Sequence, residues 1–261
     1  MSYNGQDRLD LQSSSSVSTP AAEAMKTLIA TVQPVLKELG FRRRGSSFNW
    51  TVAPDGLVHV INVQRGGYIR LHAADMFGLA PRPYGGFTVN LGVWLPGVRL
   101  SPLDPPDDMT GKTISEAQCH LRNRLGQLLP EPADIWWPLD AEGGELARTA
   151  LTGYGLPWLG RFSTWDDTLS QLEGDPDSWA WLSPPWLIAM GMRLARAERD
   201  EAERDFAEHL RRLSRPEQQE LPGFREALAA HFDMLEKIAM ANYFTVDVRA
   251  YAATASDRDP V

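Results

Sequence analysis

The stretch that decides the fold is Gly86-Phe87-Thr88-Val89-Asn90-Leu91-Gly92-Val93-Trp94, in which bulky apolar residues occupy every second position. Successive side chains of an extended strand point to opposite faces, so one face of this strand is apolar. Its members are Phe87, Val89, Leu91 and Val93. Such a strand is typical of an antiparallel sheet that is covered on one side. We therefore predict an α+β fold built around this strand.

Two further strands are predicted before it, at residues 47–52 and 57–65. The residues between them have turn chemistry: Pro54 presets one backbone angle, Asp55 offers a local acceptor and Gly56 permits a positive φ. The first two strands should therefore form a hairpin. Together with residues 86–94 they make an antiparallel sheet of three or more strands.

A helix over residues 20–39 should pack on this sheet, because its apolar residues recur at helical spacing. They are Met25, Leu28, Ile29, Val32, Val35, Leu36 and Leu39. Gly40 suits the left-handed residue that follows a last helical turn. Residues 115–129 are also predicted to be helical.

The second half of the chain is predicted to be mostly α-helical. Apolar periodicity indicates one long helix from residue 184 to 213 and another after Pro222, which together make a helical hairpin. We expect a flexible N-terminal arm, an α+β domain, a helical C-terminal region and a tail. Their respective bounds are residues 1–19, 20–160, 161–245 and 246–261.

Composition excludes several classes of protein. The 261 residues carry a net charge of −8, which argues against binding of duplex nucleic acid because phosphate neutralisation needs an excess of Lys and Arg. No stretch supplies the roughly 20 continuous apolar residues that a membrane span requires. The charge is uneven, since residues 1–130 carry +3 and residues 131–261 carry −11.

The single cysteine, Cys119, permits no internal disulfide and favours a reducing compartment, so we predict a cytoplasmic protein. The first 19 residues show no secretory signal pattern. Cys119 and His120 are neighbours that point apart, and no CxxC or HxxxH spacing indicates a metal site. No phosphate loop or dinucleotide motif is present, so no cofactor is expected. A buried inert thiol is favoured over a catalytic one.

Five segments together resemble one bacterial family, the domain of unknown function numbered four-three-zero-four, over about residues 22–160. They are residues 39–45 (LGFRRRG), 60–64 (VINVQ), 86–93 (GFTVNLGV), 119–126 (CHLRNRLG) and 134–137 (DIWW). The resemblance implies an α+β domain with an antiparallel sheet. It implies no activity and supplies no catalytic residue.

Three amides in apolar strands, Asn62, Gln64 and Asn90, are the most informative polar residues, because a strand amide must be hydrogen-bonded or exposed. They can converge on one polar patch of a sheet face. One interpretation is recognition of a ligand or partner. The other, which is favoured, is a buried network that fixes strand register.

Arginines offer a second candidate site. Arg65, Arg122 and Arg124 could form a cationic pocket for a carboxylate or phosphate, since guanidinium groups bind both in bidentate fashion. On a helix, however, positions 122 and 124 face about 200° apart and cannot share one site. An ion pair with Asp134 or Asp140 is the commoner outcome for at least one of them.

Exposed aromatic and basic groups suggest partners. Trp137 lies in a tryptophan-rich region, and a tryptophan left exposed there would suit a protein partner or line a cleft for a small molecule. Arg42–Arg44 follow a helix end, where the helix dipole favours cations. With Phe48, Trp50 and Tyr68 nearby, single-stranded nucleic acid is the less favoured alternative.

These observations favour a non-enzymatic protein that binds another protein, for example in an immunity or antitoxin-like role. The negative charge, the lack of assembled catalytic groups and the appended helices motivate that hypothesis. The alternative is an enzyme or small-molecule-binding protein that uses Asn62, Gln64, Asn90 and an arginine on the sheet.

Overall fold

A computed structural model describes residues 20–66, 85–100, 113–174, 184–213, 224–242 and 244–256. The strands are β1 (Arg42–Arg44), β2 (Ser47–Val52), β3 (Leu57–Arg65), β4 (Gly86–Trp94), β5 (Leu121–Arg124) and β6 (Trp137–Pro138). The helices are α1 (Pro20–Glu38), α2 (Ala141–Ala150), α3 (Leu156–Gly160), α4 (Trp165–Gly174), α5 (Pro185–Ala195), α6 (Arg199–Leu213), α7 (Phe224–Ala241) and α8 (Val248–Ser256). The predicted α+β class, with a helical C-terminal region, is confirmed.

The strands form one antiparallel sheet in the order β1-β2-β3-β4-β5, and β6 continues the ladder along β4 beyond β5. The three strands predicted from the sequence have the expected bounds. The expected hairpin is present, since β2 pairs with β3 from Val52 opposite Leu57 to Ser47 opposite Asn62. Gly56 has a φ of +74°, the positive value its turn position demands.

One face of the sheet is apolar and lies in the main core. Ile61 and Leu91 stand opposite each other on β3 and β4, and both are fully buried together with Leu36 of α1. Truncating such a residue to alanine typically costs about 2–5 kcal/mol. The apolar stripe of α1 therefore covers this face, as its spacing predicts.

Helix α1 ends as expected. Gly40 adopts a φ of +91°, and the Phe41 amide donates to the Leu36 carbonyl at 2.9 Å. This closes the last turn in the left-handed manner that glycine allows. The helix runs through Pro34 without a break. The expected flexible arm, residues 1–19, lies outside the described residues.

The prediction of a helix over residues 115–129 is wrong. Short 3-10 turns at Glu116–Gln118 and Leu125–Leu128 flank strand β5 instead. Leu121 pairs with Val93 and Arg124 pairs with Asn90 of β4. The open edge of β4 offers backbone hydrogen bonds to this segment, and that pairing overrides a weak local preference for helix.

The C-terminal region is helical, but the predicted single helix from residue 184 to 213 is two helices, α5 and α6. The chain reverses at Ala197, whose φ of +61° is unusual for a residue with a side chain. Helices α5 and α6 thus form a hairpin with each other, which differs from the one predicted between residues 184–213 and the helix after Pro222. Helix α8 occupies much of the segment expected to be a tail.

A second apolar cluster unites the C-terminal helices. Its buried members are Leu187, Met190, Ala202, Phe206, Leu210, Phe232, Leu235, Ala239 and Val248. Helix α5 also sends Ile188, Ala189 and Met192 into the main core. The two clusters therefore meet at α5.

Candidate functional site

A row of polar residues crosses the second face of the sheet. Strand register places Arg44 opposite Ser47, Ser47 opposite Asn62, Asn62 opposite Asn90 and Asn90 opposite Arg124. Neighbouring strands lie about 4.8 Å apart, so the row spans roughly 19 Å across five strands. The structure thus brings Asn62 and Asn90 side by side.

The three strand amides are tied into hydrogen bonds along this row. Asn62 Nδ2 donates to Ser47 Oγ at 2.8 Å. Asn90 Nδ2 donates to Gln64 Oε1 at 2.8 Å, and Arg124 Nε donates to Asn90 Oδ1 at 3.2 Å. Both the nitrogen and the oxygen of the Asn90 side chain are therefore hydrogen-bonded. Asn62 uses its nitrogen and Gln64 uses its oxygen.

Both candidate arginines of β5 lie on this same face, because residues two apart on a strand point the same way. The expectation that they face apart is wrong, because it assumed a helix and this segment is a strand. Arg124 pairs with Asp134, one of the two partners expected, and its guanidinium lies 5.6 Å from the Trp136 ring centroid. Arg122 pairs with Glu116. Neither charge is left without an acidic partner.

Residues 113–119 cover the part of this face that lies beyond the polar row. The Asn49 side chain holds them by two bonds, donating to the Ile114 carbonyl at 2.9 Å and accepting from the Ile114 amide at 3.1 Å. Gly92 lets Cys119 approach closely, since a Cβ at position 92 would lie 2.5 Å from Cys119 Sγ. Val60 and Trp94 are buried beneath this cover.

An open cleft of about 470 Å³ remains between this cover and the end of β3. Ser46, Asn62, Gln64, Arg65 and Glu116 are among the residues that line it. Asn62 and Gln64 are half-buried and Arg65 is exposed. Within the described part of the chain, Asn62 Oδ1, Gln64 Nε2 and the Arg65 guanidinium make no hydrogen bond. These three groups therefore offer the cleft one acceptor and two sets of donors.

Residues 32–159 match a protein family described as Domain of unknown function (DUF4304). The chain carries a DUF4304 domain. This confirms the resemblance over about residues 22–160. No curated protein and no solved structure matches the chain. The polar row from Arg44 to Arg124 and the cleft residues of the sheet lie inside the DUF4304 domain.

The one thiol of the DUF4304 domain is buried. Cys119 is 3% exposed, and burial first, then the Glu116 charge, raises its pKa well above the usual value. A thiol so raised stays protonated and is a poor nucleophile at neutral pH. Among the described residues, the Cys119 thiol donates to the Ser115 carbonyl oxygen at 3.6 Å and not to a base.

Two buried imidazoles of the DUF4304 domain are committed to the backbone. His59 Nε2 lies 2.9 Å from the Phe162 carbonyl oxygen, and burial lowers the pKa of His59. His120 Nδ1 accepts from the Leu95 amide at 3.0 Å. His120 Nε2 lies 3.2 Å from the Val98 carbonyl oxygen, so it is the donor nitrogen. Both rings act as structural links.

The remaining candidate, Trp137, lies away from the cleft. It is 6% exposed, belongs to the main core and packs on Phe87 with ring centroids 5.9 Å apart. Burial of a tryptophan body contributes chiefly to packing. Trp136, its neighbour, is the one that contacts the polar row through Arg124.

The described residues lack the features of a metal site and of a membrane span. There, no three His, Cys, Asp or Glu side chains come together in a group that could hold a metal ion. None of the described helices combines the length and the apolar character needed to cross a bilayer.

Three residues around the site were not predicted from the sequence. Asn49, Glu116 and Trp136 each act through a partner that is distant along the chain or brought close only by β5. For Asn49, alternation along β2 would have been enough to predict a position on the polar face, because Asn49 lies on the same face of the sheet as Asn62.

Proposed function

We propose that this protein is a non-enzymatic module that binds another protein through the polar sheet face around the cleft. In its most specific form the role is immunity or antitoxin-like. The observation that carries the proposal is the hydrogen-bond network, which fixes the amides and leaves particular polar ends open. Recognition surfaces need directed groups held in place before the partner arrives.

The open ends have a definite chemistry. Gln64 accepts from Asn90 through its oxygen, so its amino group remains available as a donor. Arg65, the next residue of β3, is exposed and also lines the cleft. Asn62 donates to Ser47, which leaves its oxygen as an acceptor. The cleft thus suits a partner that offers a carboxylate and a neighbouring donor, such as a polypeptide segment.

The state of the reactive groups supports binding over catalysis. Cys119 is buried and protonated, and the rings of His59 and His120 are bonded to backbone groups. A nucleophile with an adjacent base is the usual requirement for covalent catalysis. The arginines of β5 are neutralised by Glu116 and Asp134.

The test is affinity capture from the native host with three forms of the full chain. The wild type is compared with Gln64→Ala/Arg65→Ala and with the control Arg148→Ala, which removes an exposed arginine of α2. We expect wild type and control to retain one stoichiometric protein that the double variant loses, with all three melting within a few degrees. Equal recovery by all three forms, or no stoichiometric protein with any, contradicts the proposal.

A second candidate is a small-molecule-binding protein or an enzyme with its site on the same face. The cleft volume of about 470 Å³ favours it, because ligand pockets commonly enclose about 300–1,000 Å³. It predicts that small carboxylates or phosphates raise the melting temperature of the wild type. Alanine variants of Asn62, Gln64 and Asn90 should then fold normally and lose that shift. If they unfold instead, the amides are structural.

A further inference from the structure

Strand β1 is a short, basic edge of the sheet. Its three residues, Arg42, Arg43 and Arg44, are all exposed. In the described part of the chain β1 pairs with β2 alone, so its outer edge forms no ladder there. An edge strand offers backbone donors and acceptors to any chain that can lie beside it.

The three arginines divide between the two faces. Arg43 turns toward α1, where its guanidinium donates to Gln33 Oε1 at 2.8 Å. Arg42 and Arg44 stand opposite Asn49 and Ser47, on the face that carries the polar row. Neither has an ion pair among the described residues. Two unneutralised charges therefore border one side of the site.

We propose that β1 binds an acidic, extended segment of the partner protein, which adds to the sheet as a further antiparallel or parallel strand. The inference rests on the proposed protein-binding function and names the chemistry of the partner. Side chains of an added strand alternate in direction, so every second residue would face Arg42 and Arg44. Backbone pairing supplies affinity in this mode of recognition, and carboxylates at alternate positions supply specificity.

Charge complementarity selects an acidic occupant. Of the residues that line the neighbouring cleft, Arg65 adds a third exposed cation, and Glu116 is already paired with Arg122. Arg42 and Arg44 thus present two exposed cations on the polar face, and Arg65 presents a third at the cleft. A segment with two or three carboxylates would neutralise them.

Single-stranded nucleic acid is less well matched to this edge. Its non-specific recognition requires aromatic rings on the same surface as the cations. Phe48 and Trp50 stand opposite Ile61 and His59, on the face away from Arg42 and Arg44. Phe48 is 1% exposed and Trp50 packs on Phe41 at 5.6 Å between centroids. These two rings are therefore unavailable for stacking beside the arginines.

A charged edge also deters pairing between copies of a protein, and that role needs no partner. The experiment must therefore detect binding and backbone pairing separately. The probe is a fluorescent peptide of alternating Thr and Glu, compared with its Thr and Gln counterpart, with a version N-methylated at alternate residues and with an oligothymidine. Binding is measured by fluorescence anisotropy at low and moderate salt.

We expect the full-length wild type to bind the Thr-Glu peptide and to bind the Thr-Gln peptide about tenfold more weakly, since exposed charge pairs contribute modestly. Arg42→Gln/Arg44→Gln should weaken binding by a similar factor. The control Arg204→Gln/Arg211→Gln removes the same charge from exposed positions of α6 and should change binding less than about twofold. Hydrogen exchange of β1 amides should slow when the peptide binds.

Other results would overturn the inference. Undiminished binding of the N-methylated peptide, or unchanged exchange in β1, would exclude strand addition. Preferred binding of the oligothymidine would assign the edge to nucleic acid, and no binding of any probe would leave β1 a protective edge. If the captured partner is lost with Gln64→Ala/Arg65→Ala but kept with Arg42→Gln/Arg44→Gln, the proposed function stands and this inference fails.

Discussion

Two histidines in the C-terminal helices illustrate how burial controls charge at a single residue. His209 of α6 and His231 of α7 place their Nε2 atoms 3.5 Å apart, and the Trp186 ring stacks on His209 with centroids 3.7 Å apart. Burial first, then the charges of His231 and Arg212, lowers the pKa of His209 to about 3. Burial also lowers the pKa of His231. Both rings are neutral at pH 7.

This pair predicts acid destabilisation. The pKa of His209 falls from 6.5 to about 3 on folding, so the unfolded chain binds more protons below pH 6.5. Its stabilising contribution is complete above about pH 6.5 and is lost as the pH falls toward about 3. Urea unfolding should show wild type losing roughly 2 kcal/mol more than His209→Gln between pH 7.5 and pH 5. Parallel pH profiles of the two proteins would contradict this assignment.

Gly92 provides a second prediction at the residue scale. A Cβ there would lie 2.5 Å from Cys119 Sγ and 2.7 Å from Cys119 Cβ, so Gly92→Ala should lower the free energy of unfolding by about 1–3 kcal/mol. Gly153→Ala is the matched control, because a Cβ there meets no atom within 4 Å. Chemical denaturation measures both. The loss should shrink in the background Cys119→Gly, and a full loss in that background would place the clash elsewhere.

At the scale of elements, the sequence predicted long, periodic segments well. Strands β2, β3 and β4 and helix α1 have nearly the expected bounds, because each carries its own alternation or apolar stripe. Strand β5 lacks such a pattern. Its four residues include Arg122, Asn123 and Arg124, and only pairing with β4 makes them a strand.

The break between α5 and α6 escaped prediction for a related reason. Apolar periodicity continues through residues 187–213, and neither Gly nor Pro marks the reversal at Ala197. Arg196 closes the end of α5 by donating its amide to the Met192 and Arg193 carbonyls, each at 3.1 Å. A helical hairpin buries the same periodic residues as a long helix would, so periodicity cannot separate the two.

The cover over the sheet gives a prediction at the element scale. Asn49→Ala removes both bonds to Ile114 and leaves that segment's backbone groups without partners, at a cost of about 1–3 kcal/mol. The Ile114 amide should then exchange hydrogen much faster. Thr51→Ala, an exposed position on the same face of β2, is the control and should leave that exchange unchanged. Equal protection of Ile114 in the wild type and Asn49→Ala would show that the cover is held by its apolar contacts.

At the scale of the whole molecule, the candidate site was partly visible in the sequence. Amides in apolar strands pointed to Asn62, Gln64 and Asn90 because a buried amide must be satisfied. Which partner each amide uses depends on register, and the partners Ser47 and Arg124 lie 15 and 34 residues away from Asn62 and Asn90. Register and the position of β5 could not be read from local pattern, so the cleft could not be predicted either.

The main core continues past the family match. His59 of β3 bonds to the carbonyl of Phe162, and the core includes Phe162, Leu172 and Ile188. A fragment of residues 20–160 should therefore unfold at much lower urea concentration than the full chain, with a smaller dependence on denaturant. The control is the full chain with Leu146→Ala, an exposed change in α2. An equally stable fragment would show that the sheet and α1 suffice.

Helix α5 limits how this architecture can be recombined. One side of Pro185–Ala195 completes the packing of the sheet, and the other side starts the packing of the last three helices. A chimera that grafts foreign C-terminal helices onto this sheet would have to keep Ile188, Ala189 and Met192 in place. The useful crossover point is therefore the reversal at Ala197. A junction placed at residue 159, where the family match ends, would separate the sheet from residues that complete its core.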